Sequence, residues 1–86
     1  MLPSFTFQHI EVMTGHADHE GQLVLADREL IAILVRLDDE VHGEDRGLWF
    51  LEAGFGPCHG PSHPTFRDLE GVARWISERL HEFSKA

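Results

Sequence analysis

The chain has 86 residues, 42% of them apolar and 26% charged, values that exclude a disordered polymer and leave room for one small core. Fifteen acidic against seven basic residues give a formal charge of -8, a surface that repels phosphate backbones and argues against nucleic-acid binding as a primary role. A single cysteine, Cys58, excludes an internal disulfide and fits a reducing cytoplasm.

In chain order, Met1 is followed by Leu2, Pro3, Ser4 and Phe5, without the basic region or apolar run of a signal peptide. Residues 4–13, "SFTFQHIEVM", predict a first strand. Phe5 and Phe7 alternate with Thr6 and Gln8, whereas Ile10 and Val12 fall on the opposite parity. The strand therefore bulges near His9 or changes its covering there. "TGHADHEG", 14–21, is a loop bracketed by glycines.

The segment "QLVLADRELIAILVRLDD" has two readings. As a helix, Asp27 caps a stripe of Leu30, Ile33, Leu34, Leu37 and Val41, and Gly43 ends it. As a hairpin, strands 22–26 and 30–37 flank a turn at Asp27, Arg28 and Glu29. Apolar Ile31, Ala32 and Val35 fall outside the helical stripe, and β-branched Ile31, Ile33 and Val35 alternate, so the hairpin is preferred. The apolar run from Leu30 to Val35 is far shorter than the ~20 residues a bilayer requires, which argues against membrane insertion.

"DDEVHGEDRG", 38–47, is a charged connection, and "LWFLEAGF", 48–55, is an aromatic-rich strand. "GFGPCHGPSHP", 54–64, is a Gly-Pro loop. Beyond it, Leu69, Val72, Ala73, Ile76, Leu80 and Phe83 form one stripe of an amphipathic helix, with Thr65 or Asp68 able to cap its start. The order predicts a single α+β domain over residues 1–86: a small antiparallel meander of about four strands, with one C-terminal helix packed on one face.

One helix covers one face, yet the inner strands carry apolar residues at both parities. A solvated face would alternate apolar with polar positions. The expected answer is a twofold homodimer, formed face to face or by edge pairing, with Ile31, Ile33, Val35 and Phe50 at its interface. The alternative is a meander curled into a half-barrel that buries both faces itself.

Cys58, His59 and His63 supply zinc-competent ligands on the Gly-Pro loop, and His16 or His19 could complete a set with Cys58 and His63. Against this, one cysteine cannot give the paired clusters of structural zinc sites, so a stiff connector carrying exposed histidines is preferred and no cofactor is expected. Thr65 follows Cys58 by seven residues, too far for a helix start to activate the thiol. His16, Asp18, His19 and Glu20 read as a solvated turn rather than a general-base pair, and Asp38, Asp39, Glu40, Glu44 and Asp45 lack calcium-loop spacing. No nucleophile triad or spaced carboxylate pair supports an enzyme. Three readings of function result. The first is a non-enzymatic cytoplasmic homodimer that meets a partner protein of basic surface. The second is a zinc protein, and the third a ligand carrier with an aromatic pocket of Phe5, Phe7, Trp49 and Trp75 between helix and sheet.

Overall fold

The computed structural model describes residues 4–85; the reading of the chain start falls partly on residues 1–3, outside them. Five strands, β1 (Phe5–Glu11), β2 (Glu20–Ala26), β3 (Glu29–Arg36), β4 (Trp49–Gly54) and β5 (Thr65–Phe66), precede one helix, α1 (Leu69–Lys85). They form one antiparallel sheet in the order β1-β2-β3-β4-β5, the expected meander with its C-terminal helix and one short strand more. Two 3-10 segments, Glu40–Asp45 and Gly56–Cys58, punctuate the connections before and after β4. No helix among the described residues is long and apolar enough to cross a membrane.

The ambiguous segment is a hairpin, with Ala26 paired to Glu29 across a two-residue turn of Asp27 and Arg28. Asp27 takes a φ of 58°, which aspartate tolerates better than most side chains. Its amide donates to the Ser4 carbonyl at 2.7 Å and its carboxylate accepts from the Ser4 amide at 3.1 Å, tying the turn to the start of β1.

The strands depart from simple alternation elsewhere than at His9. Pairing of β1 with β2 runs unshifted from Phe5 opposite Ala26 to Glu11 opposite Glu20, so the parity change in β1 is a change of covering. Phe5 and Phe7 pack against the helix-side core, while Ile10, at 37% exposure, faces away from it. The first bulge is in β3, where Val24 pairs with Ala32 and Leu25 with Leu30, leaving Ile31 extra. Two consecutive side chains, Ile31 and Ala32, then point to one face, and both are buried in the helix-side core. This corrects the expected grouping of Ile31 with Ile33 and Val35. A second bulge leaves Glu52 extra between Leu51 opposite Leu34 and Ala53 opposite Ile33.

α1 starts where Asp68 accepts the Gly71 amide at 2.8 Å, an N-cap arrangement. It buries Val72 and Ile76 against Val24, Ala32, Leu34 and Leu51, with Trp49, Ile31 and Cys58 completing the core. Trp75 packs at the border, with Phe66 edge-on at 5.6 Å and the Arg79 guanidinium 5.5 Å above its ring.

The opposite face of the sheet carries Thr6, Gln8 and Ile10 of β1, Leu23 and Leu25 of β2, Leu30, Ile33 and Val35 of β3, and Phe50 and Ala53 of β4. The helix does not cover it. Two loops, between β1 and β2 and between β3 and β4, close over the end near Leu37 and bury Val35 and Leu37.

Candidate functional site

These two loops are joined by one buried carboxylate. In the first, the Val12 amide donates to the His19 carbonyl at 2.7 Å and the Thr14 hydroxyl to the Asp18 carbonyl at 2.7 Å. The loop thereby closes on itself and turns Asp18 inward, where it is only 4% exposed. Gly21 makes room beneath it: a Cβ there would lie 2.9 Å from Val12 Cγ2, so Val12 packs directly onto the backbone of β2.

Asp18 Oδ1 accepts the amides of Asp38 and Asp39 at 2.7 and 2.6 Å, and Oδ2 pairs with His42 Nε2. His16 Nδ1 stands 3.7 Å from the same Oδ2. Burial acts to raise the Asp18 carboxyl, but the His42 hydrogen bond, the amides of Asp39 and Asp38 and the His42 charge outweigh it and hold the group below its ordinary value. An ionised Asp18 can only accept, so His42 donates through Nε2 and its ring is fixed in orientation. Nδ1 of His42 has no partner among the described residues.

The Asp18–His42 pair lines a cleft of about 800 Å³ on the face away from α1. Val12, Val35, Leu37 and Phe50 form its apolar part, and Asp39, Asp45 and Glu52 supply carboxylates. Glu52 shares this side with Phe50 by simple alternation, and the bulge beside it brings Ala53 to the same face. Beside the cleft, His63 Nδ1 donates to the Leu51 carbonyl at 2.8 Å while its ring stacks on Phe50, centroids 5.7 Å apart.

The sequence-derived residues are therefore distributed. Cys58 is buried on the helix side, whereas His63 lies on Phe50 across β4; His16 and His19 belong to the first loop. No group of three histidine, cysteine, aspartate or glutamate side chains that could hold a metal ion occurs among the described residues. Trp49 is buried, and Phe5, Phe7 and Trp75 are packed against the helix-side core instead of lining the cleft. Of the expected interface set, Ile31 is in the core, Val35 and Phe50 line the cleft, and Ile33 alone lies on the sheet beyond it. The stretch 14–21 is not simply a solvated turn, because Asp18 is its buried anchor. His42, 24 residues further on, carries no sequence signal that pairs it with Asp18.

Burial pushes the Cys58 thiol up to about 11, against a smaller lowering by the Arg79 charge. At neutral pH it is overwhelmingly the unreactive thiol. Native protein is expected to resist iodoacetamide and to be alkylated only in denaturant; rapid labelling of the folded chain would contradict this placement.

No protein-family model, curated protein or solved structure matches the chain.

Proposed function

We propose that this chain is a cytoplasmic, non-enzymatic interaction module that works as a homodimer and meets a partner protein of basic surface. The observation that carries the reading is the sheet face that α1 leaves open. From β1 to β3 the positions clear of the loops are Thr6, Gln8, Ile10, Leu23, Leu25, Leu30 and Ile33, without one charge, in a chain that is 26% charged. Ile10 and Leu30 remain 37% and 40% exposed there. A solvated strand face of this composition costs hydrophobic free energy that a second copy would recover, and twofold symmetry sets each patch on its equal. The formal charge of -8 then stays at the rim of the contact, where like charges oppose association and salt relieves the repulsion.

Light scattering coupled to gel filtration is expected to report a dimer whose dissociation constant falls as salt rises. Ile33→Asp and Leu25→Asp should each give a folded monomer, because one desolvated charge at such a contact costs several kcal/mol, roughly a thousandfold in affinity. A wild-type monomer at high concentration, or dimers unaffected by both changes, would refute the interface.

A further inference from the structure

We infer that the cleft over Val35 and Leu37 is a socket for the guanidinium group of an arginine side chain presented by a basic peptide segment of a partner protein. The inference rests on the interaction reading for the partner's basic character and is independent of the dimer, since the open patch around Leu25, Leu30 and Ile33 contributes no side chain to the cleft.

Three features define the ligand. Volume is the first: about 800 Å³ admits an extended side chain together with part of its backbone. Charge is the second. Asp39, Asp45 and Glu52 line the cleft, and no lysine or arginine does so among the described residues. The basic side chains of the neighbouring loop are engaged elsewhere: Arg46 Nε donates to the Asp38 carbonyl at 2.9 Å, and Arg36 pairs with Glu20 and Asp38.

The third is the apolar part of the lining. Val12, Leu37 and Phe50 stand beside the carboxylates, so the cleft suits a cation that carries several N–H donors for carboxylate oxygens and is weakly hydrated. Guanidinium has both properties, whereas an ammonium is compact and strongly hydrated. Anionic ligands are disfavoured by the same carboxylates.

The test is titration of the untagged full chain with a blocked hexapeptide containing one arginine, followed by calorimetry and by the histidine ring signals in NMR spectra. Citrulline in place of arginine keeps the shape and removes the charge. Binding of the arginine peptide is expected, weakened about tenfold or more by citrulline and by the double change Asp45→Asn with Glu52→Gln, and accompanied by shifts of the His42 ring signals. Both substituted residues are exposed, so the fold is retained. Equal binding of the two peptides would overturn the socket. Arginine-peptide binding undiminished in the double variant would place the cation elsewhere and leave only the basic-partner reading. Absence of binding to any basic peptide would overturn both, whereas binding by a protein that is monomeric overturns the dimer alone. If free arginine amide binds as tightly as the peptide, the ligand is a small molecule and the peptide assignment fails.

Discussion

Gly54→Ala is expected to cost at least about 3 kcal/mol, lowering the melting temperature by more than about 12 °C for a domain of this size. A Cβ at this position would stand 2.1 Å from the Cys58 carbonyl oxygen and 2.6 Å from its carbon, both backbone atoms that cannot rotate away. The chain makes this approach because the 3-10 segment Gly56–Cys58 folds back onto the end of β4 and inserts Cys58 into the core. Its closure is fixed by Phe55 donating to Ile31 at 2.9 Å and Cys58 donating to Phe55 at 3.1 Å. Neighbouring glycines give an internal scale. Gly56, at φ 56° in open space, should lose about 1 kcal/mol as alanine, through backbone strain alone. Gly60, also in open space and free of that backbone constraint, should change by less than about 0.5 kcal/mol. If thermal melts rank the three variants in any other order, the close approach at Gly54 is not what shapes this loop.

Removing the Asp18 carboxylate should be nearly as severe. Asp18→Ala leaves the Asp38 and Asp39 amides and the His42 ring without their common acceptor, a loss of about 3 kcal/mol by the usual penalty for buried unpaired groups. Asp18→Asn keeps an acceptor for the amides and separates charge from geometry. Because the native carboxyl is held below its ordinary value of 3.8, its stabilisation is fully present above that value and is lost as pH falls through the lowered native one. Wild type should therefore lose stability on acidification over that range, and Asp18→Asn should start lower at neutral pH and lose less there. Urea midpoints measured between pH 2 and 7 decide the matter; parallel curves would mean that the carboxylate contributes no charge-dependent stability.

How much of this was legible beforehand follows from the range of each interaction. The helix was readable because Leu69, Val72, Ile76 and Leu80 repeat within a few residues of one another. The hairpin was readable from β-branched spacing, although one of the residues cited for it, Ile31, proves to be the bulged one. Bulges are decided by the strand opposite, so the sites at Ile31 and Glu52 left no trace in local pattern. Thr65 and Phe66 read as the start of the helix; in the fold they add a fifth strand because Trp49 and Phe50 offer a free edge, and the helix begins at Leu69. The Gly-Pro stretch was recognisable as a stiff connector, whereas the reason for Gly54 depends on where Cys58 returns. Asp18 and His42 each sat in a polar run with the composition of solvated loop, and only the crossing of the two connections makes them a pair.

The order of the strands has a kinetic consequence. Each strand hydrogen-bonds to its neighbours in sequence, so every pairing closes a short loop and the sheet can zip forward hairpin by hairpin, on the order of milliseconds. The helix that seals the core is the last element of the described chain. At translation rates of about 5–20 residues per second, its 17 residues take roughly one to three seconds to synthesise. During that interval the finished hairpins hold Val24, Ala32, Leu34 and Leu51 open to water on one side and the uncharged face on the other. Until α1 docks the nascent sheet is bare on both sides; once it docks, only the uncharged face stays open.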